Sequence, residues 1–543
     1  MQKLIQYIKK VIVCLISYKY TIICMSYFFV IIMYRSHGLT TLFWGALNVI
    51  SFFLILNILS KTKYTSVFVV ILSLLISFDA FFSFVYSENI SMGAFASIME
   101  TDKGEVAGAM KYIIVPALII CCITLLLLFK SKRELIKFAL SRRLSIVALL
   151  IYFIALPIWL YTQVRSEVRA AGVIQAETDF EHNPMIFVAN YSRRRAPLVY
   201  NYFFVFAAYR SEMQRLKTYN SYERVIPQGI NNNDVAEPVE KIYFIMGESA
   251  TFRYYSLFGY PVNTTPFLDS LARIENSVVY RKALSPAAIT RESLRLTLSF
   301  ATPLNPDAFF NNKNIIELAN DLGYETLWLS NQKGLGIYDT YAGMIARQAS
   351  FSDFEISTED LDLIGALKEK QKIGKKQFFV FHIMGSHMPY SLRFDETDKI
   401  AILGNELING YERTIHHTDR FLKSIYEIMV SDTVPSIMYY VSDHGEIIGK
   451  GHGFMEDGIE QFEVPLVIVN NTSVSINNIV NRYINNETSL LNISNTPYIM
   501  AEILGYDVDD KTVKTAISEG EFIYHVNNKA YHYSEIIGQK KEN

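Results

Sequence analysis

The first 165 residues carry the constraint that any fold must accommodate. About five apolar segments, near 12 to 34, 39 to 59, 66 to 86, 112 to 129 and 145 to 163, approach the roughly 20 residues needed to cross a hydrocarbon core. A cleaved leader would be one short apolar stretch followed by soluble sequence, and here the apolar segments continue, so the reading is a multispanning anchor. Short basic flanks stay preferentially in the cytoplasm. Lys3, Lys9 and Lys10 precede the first segment, Lys61 and Lys63 separate the second and third, and "KSKRELIKFALSRR" separates the fourth and fifth. They predict five spans, a cytoplasmic N-terminus, and everything after about residue 164 on the far side. Lys19 fits best if the first span begins a few residues later and the ammonium snorkels.

A chain of 543 residues that is 50% hydrophobic exceeds one compact domain, and its formal net charge of -2 points to no nucleic-acid partner. Cys14, Cys24, Cys121 and Cys122 all fall in the expected spans, leaving the remainder without a disulfide framework or a thiolate metal site. We divide the chain into a transmembrane domain (1–165), an interfacial linker (166–240) in which aromatics alternate with Arg and Lys as in a headgroup-level segment, and a catalytic domain (241–543).

From Lys241 onward, apolar runs alternate with helical stretches. "KIYFIMG", "SVVYRKA", "ETLWLS", "QFFVFHIM", "SIMYYVS" and "PLVIVN" read as buried strands; "TTPFLDSLARI", "NIIELANDLG" and "NELINGYERTIHHTDRFLKSIYEIM" read as helices. Near-continuous apolar strands between helices imply an α/β domain with a mostly parallel central sheet, in which ligands bind at the carboxyl ends of strands.

Three of those ends carry metal-competent side chains: Glu248 after the first run, His382 and His387 around the fourth, and Asp443 and His444 after the fifth. Glu248, Asp443 and His444 make three ligands suited to Zn²⁺, with Mn²⁺ possible, and leave a position for water or for a protein hydroxyl. In "LSPAAITRESLRLTLSF", Thr290 opens an apparent helix where unpaired amides favour phosphate, yet a plain N-cap fits the position equally well. Ser285 and Ser293 compete for either role. His382, inside an apolar strand, reads as structural. So does the tandem His416 and His417 pair, whose side chains leave different helix faces.

These motifs, "MGESATFRYYSLFGYPVNTTPFLD", Thr290, "HIMGSHMPY", "YERTIHHTDRFL" and "SDHGEIIGKGHG", come in the order and spacing of bacterial membrane phosphoethanolamine transferases. The chain resembles that family, which modifies lipopolysaccharide and belongs to the alkaline phosphatase and sulfatase superfamily; over the membrane part the likeness is the five-span topology. The resemblance implies an alkaline-phosphatase-like, sulfatase-type fold and one catalytic zinc bound by Glu248, Thr290, Asp443 and His444, with Thr290 as nucleophile. It puts His387 and His452 at the phosphoryl group and in proton transfer, and makes Asn331 a further substrate contact. Glu446 is left as a supporting or helix-start carboxylate.

The implied enzyme is a multi-pass bacterial inner-membrane protein with a periplasmic catalytic domain. It takes phosphoethanolamine from phosphatidylethanolamine, holds it covalently on Thr290, and passes it to lipopolysaccharide or lipooligosaccharide. Lipid A modifying members carry cysteines where Pro286 and Leu296 stand here, and "GES" resembles the branch that modifies core sugars, which favours core heptose as acceptor over lipid A. The competing readings are a phosphoglycerol transferase of the lipoteichoic acid synthase type and a non-catalytic membrane receptor with the same fold. No C/S-x-P-x-R string occurs around 284 to 300 to make it a sulfatase.

Overall fold

A computed structural model describes residues 6, 13, 16–34, 39–85, 89–100, 103–138, 140–171, 180, 184–195, 199–232, 239–274, 278–333, 340–454, 458–525 and 529–538. The chain divides into two compact units, Met1–Met99 with Ala109–Glu212, and Glu100–Gly108 with Met213–Asn543.

The first unit is helical. Among the described residues four helices contain stretches long and apolar enough to cross a membrane: Leu42–Ser60, Thr65–Phe82, Ile114–Leu135 and Arg142–Ala170. They cover the second to fifth expected segments. A shorter helix, Lys19–Tyr34, lies on the first, whose N-terminal residues fall mostly outside the described ones. Its start has a local cause: Glu134 accepts from the amides of Tyr20 (3.1 Å) and Thr21 (2.8 Å), which have no partner within the helix, and so caps it from another helix. Lys19 is exposed at that end.

Cys24, Phe28, Phe52, Leu56, Val69 and Leu128 pack together, while Leu126, Val147, Ile151 and Ile154 point outward, an aliphatic surface suited to lipid. The expected linker is not one piece. Phe180, Val188, Tyr200 and Phe204 join Trp44, Leu156 and Leu160 in a second core of this unit. Residues up to Glu212 therefore belong with the apolar helices.

The second unit is built on a seven-stranded sheet. Its strands are β2 (Lys241–Gly247), β3 (Val278–Leu284), β4 (Glu325–Ser330), β5 (Phe351–Asp353), β6 (Gln377–His382), β7 (Ser436–Ser442) and β8 (Glu463–Asn470), in the order β3-β8-β7-β2-β6-β4-β5. Short antiparallel pairs join β1 (Ile230–Asn232) to β9 (Tyr506–Val508) and β10 (Phe522–Tyr524) to β11 (Ala530–His532). All six apolar runs are strands; β5, three residues at an edge, is the addition. Only β8 runs against the others in the main sheet.

The central strands β2, β6 and β7 are buried along their whole length, as strands covered on both faces should be. The amphipathic helix Leu407–Asp432 covers one face with Ile415, Phe421, Leu422, Ile425 and Met429 against Tyr243, Phe379 and Phe381.

Candidate metal centre and nucleophile

Parallel strands end together, so adjacent β7, β2, β6 and β4 bring Asp443–His444, Glu248, the Ile383–His387 loop and Asn331–Gln332 to one edge. The register fixes this: Gly247 pairs with Ser442, and Met246 with His382. Two glycines permit the crowding. A Cβ on Gly385 (φ 50°) would stand 2.8 Å from the carbonyl oxygen of Glu248, and one on Gly445 would stand 1.9 Å from that of Glu460.

Glu248, Asp443 and His444 are buried, and one ligand atom from each lies within 4.8 Å of the others. His444 Nε2 is 3.3 Å from Glu248 Oε1 and 3.3 Å from Asp443 Oδ2. The Nδ1–H of His444 donates to Gly445 O at 2.9 Å, which leaves the Nε2 lone pair for the cluster. Ser249, at φ 55°, ties the carboxylates together, its amide donating to Asp443 Oδ1 (3.1 Å) and its hydroxyl to Glu248 Oε1 (2.9 Å).

Asp443 Oδ2 is buried and has no hydrogen-bond donor. An acceptor left bare in the interior is costly, and two carboxylates with one imidazole form a donor set deficient in positive charge. Burial and the Glu248 charge push the Asp443 carboxyl up to about 8. Against the effect of burial, Asp443 and Glu248 raise His444 to about 10. A divalent cation fits these residues: it would match Oδ2 and take up the excess charge.

The hydroxyl is decided by geometry. Thr290 is the first residue of the helix Thr290–Leu298, whose N-cap Ile289 offers no side-chain cap. Thr290 Oγ1 instead lies 3.1 Å from His444 Nε2 and 3.3 Å from each oxygen of Glu248. Ser285 and Ser293 both bond the carbonyl oxygen of Asp443 and anchor the ligand turn. Of Ser285, Thr290 and Ser293, Thr290 is therefore the one whose hydroxyl reaches Glu248 and His444.

His452 lies beside His444 with ring centroids 4.0 Å apart and planes tilted by 45°, and His387 meets His452 edge-on at 6.0 Å. His452 Nδ1 lies 3.1 Å from Glu446 Oε2, and Tyr390 donates to Glu446 Oε1 at 3.0 Å, so Glu446 supports His452. Asn331 has its amide engaged elsewhere: Nδ2 donates to Glu359 O and Asp360 Oδ1, and Oδ1 accepts from the Ser357 amide. Its neighbour Gln332, which the sequence did not single out, reaches Glu248 Oε2 at 3.0 Å. His382 stays outside the cluster against Trp328, and burial lowers it to about 4, which keeps it neutral.

A second carboxylate and histidine group, Asp395, Asp398 and His417, lies in the same unit. Its Asp398 accepts from His416 (2.6 Å) on one oxygen, and from His417 (2.7 Å) and Arg420 (2.9 Å) on the other. His417 Nε2 contacts Glu359.

The sulfatase family matches residues 241–499, which lie in the second unit. Within that class the relatives carry a more specific name. Phosphoethanolamine transferase EptC of Escherichia coli K12 is 26% identical over 262 residues, 44% of this chain and 45% of that protein. The putative transferase YhbX of the same organism is 29% identical over 238 residues, 42% of this chain and 43% of that protein. The chain thus spans about half the length of the curated relatives it matches. In fold it is similar to the integral membrane lipooligosaccharide phosphoethanolamine transferase A of Neisseria meningitidis, with a TM-score of 0.56 at 14% identity over 88% of this chain and 92% of that one. It is also similar to the periplasmic domain of Escherichia coli EptC, with a TM-score of 0.50 at 18% identity over 58% of this chain and 97% of that one.

Proposed function

We propose that the protein is a metal-dependent phosphoethanolamine transferase of the bacterial inner membrane with its catalytic domain in the periplasm. It moves phosphoethanolamine from phosphatidylethanolamine to lipopolysaccharide or lipooligosaccharide. The observation that carries this reading is the position of Thr290 Oγ1, at a helix start and within 3.3 Å of Glu248 and His444. The names of the relatives and the apolar helices, which would keep the chain where a lipid donor lies, support it.

Glu248, Asp443, His444 and the Thr290 oxygen would hold the ion. Zn²⁺ bound there, or Mn²⁺ in its place, supplies Lewis acidity that lowers the pKa of the threonine hydroxyl. Thr290 Oγ1 attacks the phosphorus, the bond from phosphorus to the glycerol oxygen breaks, and diacylglycerol leaves with a proton. The helix-start amides at Thr290 favour the phosphoryl oxygens. An acceptor hydroxyl then attacks phosphorus, the bond to Thr290 breaks, and phosphoethanolamine is passed on. With Nδ1 facing Glu446, His452 has Nε2 for carrying the proton, and His387 is the second group placed for it. Core heptose is the acceptor favoured by the "GES" sequence at Glu248.

Thr290→Ala is the test. Cells carrying it should yield glycolipid lacking the phosphoethanolamine increment seen with the unmodified protein, by mass spectrometry, and fragmentation should place that increment on core heptose. An unchanged spectrum would remove the assignment.

A further inference from the structure

We infer that Gln332 is a positioning residue for the reaction: it holds the Glu248 carboxylate in its metal-binding orientation. The inference rests on the reading of Glu248, Asp443 and His444 as a metal site, and not on the identity of the transferred group.

Gln332 Nε2 lies 3.0 Å from Glu248 Oε2 and 2.9 Å from Ile383 O. An amide nitrogen carries two hydrogens, and here it has two acceptors. The reversed amide would aim its oxygen at two oxygens, so the orientation is fixed by chemistry. The two bonds tie the end of β4 to the ends of β2 and β6.

The backbone that presents Gln332 is itself held. Ser330 Oγ accepts from the Gln332 amide at 3.0 Å and lies 3.1 Å from its carbonyl oxygen. Asn331, one residue earlier, is anchored to Glu359 and Asp360, and Asp360 also accepts from the amides of Met384 (2.9 Å) and Gly385 (2.9 Å). One carboxylate thus clamps both the Gln332 turn and the loop that runs along Glu248.

Without Gln332, the Thr290 hydroxyl at 3.3 Å is the remaining donor to Glu248 Oε2 among the described residues. The carboxylate would then compete for the proton of the nucleophile and rotate away from the orientation in which it faces Asp443 and His444. Ligands oriented by such bonds bind metal more tightly, typically by about 10- to 100-fold.

The experiment uses the full chain in detergent micelles, stripped with a chelator and titrated with Zn²⁺ alone. Gln332→Met keeps the side-chain volume and removes the donor; Gln332→Ala removes both. Both should bind zinc about 10- to 100-fold more weakly, with the melting temperature of the zinc-free protein unchanged. At subsaturating zinc kcat should fall, at constant KM for lipid donor, and recover as zinc is raised. Wild-type zinc affinity in Gln332→Met overturns the inference. So does a raised KM with zinc affinity unchanged, which makes Gln332 a substrate contact, or a zinc-free melting temperature that falls, which makes it structural. Failure of the Thr290→Ala experiment would remove the proposed reaction and leave this titration standing.

Discussion

Two groups of carboxylates and histidines lie in the second unit, and they differ in what neutralises them. In the group around Asp398, Arg420 bonds both Asp398 (2.9 Å) and Asp395 (2.8 Å), and each oxygen of Asp398 has a histidine partner. The protein supplies the cation there. In the group around Asp443, no guanidinium or ammonium pairs with the carboxylates among the described residues, and Asp443 Oδ2 makes no hydrogen bond, with His444 Nε2 3.3 Å away. Similar ligand types therefore mark opposite states. The first group is closed by an internal charge and holds the helix Glu396–Ala401 to the helix Leu407–Asp432; the second is open to a charge from outside.

The largest effect that would break this contrast is at Asp443. Asp443→Ala removes the unmatched acceptor and should lower both stoichiometric zinc binding and transfer, the latter by at least about 10³-fold. Retained zinc in that variant, measured by elemental analysis, would mean that the open cluster is not the metal site. Next comes Arg420→Met, which leaves buried Asp398 without its guanidinium. With Arg420 about a quarter exposed, the expected loss is about 2 kcal/mol in denaturant unfolding, with zinc affinity unchanged. A shift in zinc affinity would show that the two groups are coupled.

The smallest effect is in pH. Against the effect of burial, Asp398 and Glu359 raise His417 from 6.5 to about 9. Folded protein thus binds more protons than unfolded protein in that interval, so this pairing stabilises fully below pH 6.5 and is lost as pH rises through about 9. Asp398, held well below the usual carboxylate range by His416 and His417 although burial opposes it, loses its contribution only in strong acid. The melting temperature of zinc-free protein should fall between pH 6.5 and 9.5, and Asp398→Asn should flatten that slope. An unchanged slope would mean that His417 contributes nothing on titration.

The strands were legible because continuous apolar runs have few alternatives in a sheet covered on both faces. β5 was not, since three residues with burial from partial to exposed leave no such trace. The carboxylates and His444 were legible because they directly follow those runs.

Choosing among hydroxyls was beyond the sequence. Ser285 and Ser293 are occupied by the backbone carbonyl of Asp443, a partner 150 or more positions away. The same limit separates Asn331 from Gln332, adjacent amides of which one anchors a turn and the other meets Glu248. His416 and His417 leave different faces of their helix, yet both reach Asp398, because a carboxylate has two oxygens, one for each ring. The domain boundary shifted because amphipathic sequence between 184 and 212 looks interfacial, whereas in the structure it packs on the apolar helices.

Ser249 and Asp443, bonded at 3.1 Å, are 194 residues apart along the chain. A polypeptide that has emerged only as far as Thr290 possesses Glu248 and the Thr290 hydroxyl, but neither Asp443 and His444 nor strand β7 beside β2. On the proposed reading, ion capture comes only after the chain has been delivered as far as His444 and β7 has paired with β2, which couples metal loading to assembly of the sheet.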